Sequence, residues 1–455
     1  MKAIILAAGQ GKRMRSHLQK VLHPILGKTI VQYVAEAALS AGIEDITVVV
    51  GSDGGDITAE LSRVYPQLHF ATQEKPLGTG HAVQAGMGRI DDDDDVLILY
   101  GDTPLITVEF IRELKAFYDK NSSNAVVTAA YYPELGDLGR VYADADGFFQ
   151  EIIEHKDVKP STLPTEWINT GIYVFNGKAL KQGLAKMDNS NSQNEYYLTD
   201  VPKILREDGL HVRVFESLAD MTVFTGINTQ VQLAEAVSYM QNRINTKHML
   251  NGVRMVAPSA VYIDDTVELE PGVIIYPGVI LEGNCKISAH VTVGAHSHLK
   301  NATVGNGATI QQSVVMDAII GAGTSVGPFA YLRQGVQVGE KCRIGNFVEI
   351  KNSNIGDGTK AAHLAYIGDA DVGKNVNYSC GAITANYDGK NKHRTMIGDN
   401  AFVGSNANLI APVKIGDDAF VAAGSTITND LQSGSLGIAR ARQVEKPNWA
   451  KTKKS

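Results

Sequence analysis

Cysteine is scarce in this sequence. Its 455 residues hold three, Cys285, Cys342 and Cys380, all in the second half. An odd count with no CxxC pair argues against disulfides and a cysteine-built zinc site, and suits a reducing cytosol. Long apolar runs are also missing. The opening MKAIILAAGQG breaks at Gly9, too early for a signal peptide or a membrane span, so a cytoplasmic chain without a membrane span is expected. Positive charge is not in excess either: 42 Lys and Arg against 49 Asp and Glu leave a net charge of −7. Nothing in that balance points to nucleic acid, and the terminal KTKKS reads as a solvated end. The run DDDDD at 91–95 reads as a solvated loop rather than a metal site.

What is present is length and a change of grammar. A chain this long exceeds one ordinary core, so two or more domains are expected. The first half alternates strand-like and helix-like segments. AIILA (3–7), ITVVV (46–50), VLILY (96–100), AVVTAA (125–130) and GIYVF (171–175) read as strands. The first three are apolar throughout, as strands buried on both faces are. TIVQYVAEAALSAG reads as a helix ending at Gly42. The order predicts an α/β domain with a mostly parallel sheet and helices on both faces. QVQLAEAVSYMQNRINTKHML, 230–250, reads as one connecting helix.

After residue 250 aliphatic residues recur every sixth position. Val261, Val267, Val273 and Val279 are one run; Ile320, Val326, Leu332, Val338, Ile344 and Ile350 are another. The register returns at Ile397, Val403, Leu409, Ile415, Val421 and Ile427. A repeat this short fits a parallel β-helix, each hexad forming one side of a triangular coil. The pattern resembles the left-handed β-helix of hexapeptide-repeat acyltransferases. It breaks in TANYDGKNKHRT, 384–395, where a loop must leave the coil.

Two stretches carry candidate chemistry. LAAGQGKRM, 6–14, puts glycines at the end of the first strand, where backbone N–H groups can cradle phosphates and Arg13 and Lys20 add charge. A plain structural turn remains open for the glycines alone. The dinucleotide fingerprint fits poorly, because GxG is followed by Lys-Arg and the second strand ends in VVVGSD. Asp102 follows VLILY directly, at the strand edge where open α/β sheets bind ligands, or else it caps the turn at Thr103-Pro104. His363, in KAAHLAYIGDA, is either a general base or an ordinary surface or core histidine.

LAAGQGKRM followed by QKVLHPILGK is similar to the signature of sugar-phosphate nucleotidyltransferases. PLGTGHA (76–82), LYGDTPL (99–105), GR (139–140), EHKD (154–157), NTGIY (169–173) and GIN (226–228) follow in the same order. With the hexads, the chain resembles over essentially its whole length the bacterial bifunctional N-acetylglucosamine-1-phosphate uridyltransferase/glucosamine-1-phosphate acetyltransferase family. The resemblance implies a Rossmann-like uridyltransferase domain at 1–228, a linker helix at 229–250 and a left-handed β-helix acetyltransferase domain with a tail at 251–455. It implies Mg2+ on Asp102 and Asn228. It implies UTP and UDP-N-acetylglucosamine on Leu6, Ala7, Ala8, Gly9, Gly11, Arg13, Lys20, Gln73, Gly78, Thr79, Tyr100 and Gly101, with Gly139, Glu154, Asn169 and Thr170 toward the sugar. In the second half it implies His363 as the base and Arg333, Lys351, Tyr366, Asn377 and Lys392 on glucosamine-1-phosphate. Cys380, Asn386, Tyr387, Ser405, Ala423 and Arg440 would meet acetyl-CoA. A homotrimer supplying peptidoglycan and lipopolysaccharide precursors is implied as well.

The chemistry suits these residue types. Uridyl transfer brings two anions together, so charge must be neutralised and aligned. Acetyl transfer needs a base to free the amine. Cys380 has no activating partner beside it in sequence, so direct transfer is expected rather than an acyl-enzyme. Where the family commonly reads Asn-x-Gly-Ala-Gly, this chain reads NYSCG at 377–381, and Gln334 stands where proline is common. Two other readings compete: a single nucleotidyltransferase with a regulatory coil, and a scaffold with decayed sites. Arg333, Lys351, His363, Asn386 and Tyr387 argue against the first, since a structural coil needs none of them. Asp102, Asn228 and His363 argue against the second.

Overall fold

In this computed structural model residues 1–133, 138–153, 165–191 and 194–451 are described. The chain divides into two compact units, Met1–Met240 and Gln241–Ser455. The expected strands of the first unit are present as Lys2–Ala7 (β1), Ile46–Gly51 (β2), Asp95–Tyr100 (β4), Ala125–Tyr131 (β5) and Trp167–Asn176 (β8). His69–Gln73 (β3), Arg140–Ala143 (β6), Phe149–Ile153 (β7) and Val212–Ser217 (β9) complete the sheet. Their short, mixed sequences lie at its edges. The order is β9-β5-β8-β4-β1-β2-β3, with β6 on β8 and β7 on β6. Only β8 runs antiparallel within the main order.

Helices Ile30–Ser40 (α1), Gly55–Val64 (α2) and Val108–Asn121 (α4) cover one face. Thr79–Gly86 (α3), Gly177–Lys186 (α5) and Val201–Glu207 (α6) cover the other. Alternate residues of β1 feed the two cores: Ala3, Ile5 and Ala7 one, Ile4 and Leu6 the other. α1 begins at a Thr29–Gln32 capping box and gives way to Gly42 at φ +89°, the left-handed residue its sequence led one to expect. Because β1 pairs in parallel with β2 on one side and β4 on the other, the order of strand addition reverses there. That switch opens a crevice at the strands' C-terminal ends.

The helix Gln230–Leu250 (α7) contributes to both units. In the second unit, Gln241 and Asn245 donate to the carbonyl of Val261 at 2.7 and 2.9 Å, satisfying backbone at the start of the coil. The rest is a left-handed parallel β-helix of three ladders. Ile274 pairs with Thr292, Thr292 with Thr309 and Thr309 with Ser325, so each coil closes after three hexads or one or two residues fewer. Every hexad aliphatic named above is at most 4% exposed. Each such burial is worth roughly 1.5–3 kcal/mol. Corners use left-handed residues, often Asn, Asp or Gly. Asn377 pairs with Phe402 across the one long excursion, 386–394, between the strands Ile383–Ala385 and Thr395–Ile397.

Candidate functional site

In the first unit the crevice is a cavity of about 550 Å³. It gathers Leu6, Ala7, Ala8, Gly9, Gly11 and Arg13 from the end of β1, Lys20 just after, Gln73, Gly78 and Thr79 from the β3–α3 turn, Tyr100 and Asp102 from β4, and Asn228. A second concavity of about 290 Å³ shares Tyr100 and Asp102 and adds Gly139, Asn169 and Thr170. Asp102 therefore stands where the two hollows meet. Gly101 lines neither; its N–H donates to the Leu6 carbonyl at 2.9 Å and ties β4 to β1. Glu154 lies outside the described residues.

The glycines differ in what surrounds them. A Cβ on Gly9 would meet nothing within 4 Å, so its open side faces the cavity. Gly78 has φ +107°, and a Cβ there would sit 2.5 Å from the Tyr196 carbonyl oxygen. Its constraint comes from the chain packing on itself. Gln73 is buried and donates to the Gly78 carbonyl at 3.1 Å, fixing that turn. A register shift between Asn169 and Tyr173 turns NTG toward the second hollow. There Asn169 Oδ1 accepts from the Gly171 N–H at 3.1 Å.

Asp102 Oδ2 and Asn228 Oδ1 converge on one cation. Both accept from the Lys20 ammonium, at 2.5 and 3.0 Å. A Cβ on Gly226 would come within 3.3 Å of Asp102 Oδ2, so glycine there keeps the carboxylate's surroundings clear. Two oxygen donors beside a phosphate cavity are what magnesium uses, since it completes its shell with phosphate and water. The donor set fits that ion. Among the described residues no group of three or more His, Cys, Asp or Glu is placed to hold a metal.

In the second unit the long strands Arg343–Lys351 and Lys360–Gly368 run side by side and pair Asn346 with His363 and Glu349 with Tyr366. His363 is exposed, and its Nδ1 lies 3.2 Å from Asn346 Oδ1. In the tautomer that donates Nδ1–H to that oxygen, Nε2 presents its lone pair. Beyond His363 a column forms along one corner. The carbonyls of Leu364, Cys380 and Ser405 accept from Gly381, Asn406 and Gly424 at 2.6, 2.9 and 2.8 Å. Arg440 Nη1 donates to the Ala423 carbonyl at 2.9 Å. His363, Cys380, Ser405, Ala423 and Arg440 thus mark successive coils along one edge.

Beside the column is a cationic cluster. The neighbouring Lys392 ammonium, with Arg333 behind it, pushes the Lys351 amine below the usual lysine range. Like charges gathered in this way favour an anion. Arg333 is held by Glu349 at 2.8 Å and lies 5.6 Å from the Tyr331 ring centroid. The ring of Tyr366 lies where a side chain on Gly368 would otherwise be. Asn377 donates to Ser379 Oγ at 2.9 Å, so the unusual serine of NYSCG engages a candidate sugar contact. Cys380 is free and exposed. Tyr387 is exposed and forms an antiparallel bridge with Lys392 across the excursion. Asn386 faces inward instead; it is 8% exposed and donates to Asp369.

Comparison with known proteins agrees with both halves. Residues 3–141 match the model of the MobA-like NTP transferase domain. Residues 317–352 and 394–429 match that of the bacterial transferase hexapeptide (six repeats). "Bifunctional protein GlmU" of Geobacillus sp. (strain WCH70) is 45% identical over 98% of this chain and 97% of its own. The protein of the same name in Clostridioides difficile (strain 630) is 42% identical over 99% and 98%. The chain belongs to the GlmU family. Like the GlmU proteins it is a bifunctional enzyme with a nucleotidyltransferase unit and a hexapeptide acyltransferase unit. No helix among its described residues is long and apolar enough to cross a membrane.

Some residues that build the GlmU sites went unseen in the sequence. Glu195 lines the first cavity and Phe224 the second. Glu195 could have been suspected only from its closeness to Gly78, which is not local in sequence. Asn346 carries no motif of its own and is found only through strand pairing with His363.

Proposed function

We infer that the β-helix unit acetylates glucosamine-1-phosphate from acetyl-CoA, and that the first unit then transfers UMP from UTP to N-acetylglucosamine-1-phosphate. The observation that carries this reading is the pair of separate constellations: phosphate cradle with Asp102 and Asn228, and His363 beside a lysine–arginine cluster. In acetyl transfer, His363 Nε2 takes a proton from the amine as its nitrogen attacks the thioester carbon. The C–N bond forms, the C–S bond breaks and CoA leaves as the thiol side product. Arg333, Lys351 and Lys392 hold the sugar phosphate. Tyr366 and Asn377 orient the sugar, while Cys380, Ser405, Ala423 and Arg440 line the path for acetyl-CoA. Asn386 contributes from the base of the excursion and Tyr387 from its exposed side.

In uridyl transfer a phosphate oxygen of the sugar attacks the α-phosphorus, and the bond to pyrophosphate breaks in line. Backbone N–H groups around Gly9 and Gly11, with Arg13 and Lys20, hold the triphosphate. Gln73, Gly78 and Thr79 frame the base. Gly139, Asn169 and Thr170 frame the sugar. Asp102 and Asn228 would hold Mg2+, which neutralises phosphate charge when bound. The full chain acts as a cytoplasmic homotrimer. Supporting that, Phe329, Phe347 and Leu364 lie exposed along the same corner as His363, and the two rings stack at 5.6 Å.

The test supplies glucosamine-1-phosphate, acetyl-CoA, UTP and Mg2+ to the full chain. UDP-N-acetylglucosamine accumulates on this reading. Another nucleotide sugar, or free N-acetylglucosamine-1-phosphate with no nucleotide product, contradicts it.

A further inference from the structure

The excursion 386–394 carries Tyr387 and Lys392, and something must fix it over the coil. Asp369 stands under its root. It is 7% exposed and holds φ +49°, a left-handed corner that aspartate tolerates. Both carboxylate oxygens are used. Oδ1 accepts from Asn352 Nδ2 at 2.6 Å and Oδ2 from Asn386 Nδ2 at 2.5 Å. Its backbone binds both sides as well: its N–H donates to the Lys351 carbonyl at 3.0 Å, and its carbonyl accepts from Thr395 at 3.1 Å. Asn386 in turn closes the excursion, its carbonyl accepting from the His393 N–H at 2.8 Å.

The bland role for Asp369 is a rung. Corners along this edge hold Asn301, Asp317 and Asn352, all left-handed, and Asn301 Nδ2 donates to Asp317 Oδ1 at 2.9 Å. Asp317, however, is exposed and lies under no excursion. Asp369 differs by being buried and by giving its second oxygen to the loop. Its charge also acts on the cationic cluster, raising Lys351 against the larger opposing effect of Lys392.

We propose that Asp369 is a positioning residue for acetyl transfer, orienting Asn386 and thereby setting the excursion that brings Lys392 to Lys351. The proposal rests on the acetyl-transfer reading above. An amide in place of the Asp369 carboxylate can accept from only one of the two asparagines, and its own NH2 then opposes the other.

The experiment uses the full chain and three forms: wild type, Asp369→Asn, and Asp369→Asn with Asn352→Asp. In the double variant the two groups exchange roles. The amide now at position 369 can donate to the carboxylate now at position 352 and still accept from Asn386. We expect the single variant to lose about tenfold or more in kcat/KM for glucosamine-1-phosphate, as a broken buried hydrogen bond does. Its uridyl transfer stays within about twofold. The double variant recovers most of the loss. Hydrogen exchange provides a readout independent of activity: amides of 386–394 exchange faster in the single variant and return to wild-type rates in the double. Unchanged kcat/KM and unchanged exchange in Asp369→Asn overturn the proposal. So does an equal fall in both activities, or a double variant no better than the single. If wild type itself fails to acetylate glucosamine-1-phosphate, the functional reading falls, and the exchange rates alone decide whether Asp369 sets the loop.

Discussion

Lys351 shows most plainly how neighbours change a side chain's chemistry. Lys392 and Arg333 favour its neutral form, so it loses its proton at a lower pH than an ordinary lysine. Its charge is fully present well below that lowered value and disappears as pH rises through it. The KM for glucosamine-1-phosphate should therefore climb on the alkaline side before ordinary lysines titrate. Lys351→Arg should remove that climb, since arginine stays charged. A KM–pH profile identical in the two proteins would contradict the assignment. At this scale the sequence was partly legible. Arg333, Lys351 and His363 stood out as residues a structural coil does not need. Asn346 and Asp369 did not, because each acts through a residue seventeen positions away that only the coil brings near.

Elements explain the next level. The β3–α3 turn depends on Gly78, whose φ of +107° and contact with Tyr196 leave no room for a Cβ. Gly78→Ala should destabilise the first unit by more than about 1 kcal/mol and cut uridyl transfer, leaving acetyl transfer near wild type. Unchanged uridyl transfer with unchanged thermal unfolding would contradict it. The hexads were legible residue by residue, because a six-residue period forces each aliphatic to the inside of a coil. The repeat model stops at 352 and resumes at 394, and the unmatched stretch holds His363, Tyr366 and the excursion. β3, β6 and β7 were hidden because edge strands need not be apolar on both faces.

Across the whole molecule, an exposed aromatic corner and a split active-site inventory matter most. Phe329, Phe347 and Leu364 are each at least half exposed, along the edge that carries His363. Phe347→Asp should shift the chain from the proposed trimer toward monomer in sedimentation and lower acetyl transfer, with uridyl transfer retained. A trimer unchanged by that substitution would contradict the proposed interface. The division into two units of different grammar was readable from the sequence, since one half alternates strand and helix and the other repeats every six residues. The proposed trimer contacts were not, because no single chain contains both sides of such an interface.

The central claim is that two independent sites act in series in one chain, and paired variants test it most directly. His363→Ala and Asp102→Ala are each assayed for both half-reactions in the folded full chain. His363→Ala is predicted to lose about a hundredfold or more of acetyl transfer while converting supplied N-acetylglucosamine-1-phosphate and UTP to UDP-N-acetylglucosamine at nearly the wild-type rate. Asp102→Ala is predicted to do the reverse, releasing CoA and accumulating N-acetylglucosamine-1-phosphate. Loss of the same activity in both variants, or equal loss of both activities in either one, would contradict the account.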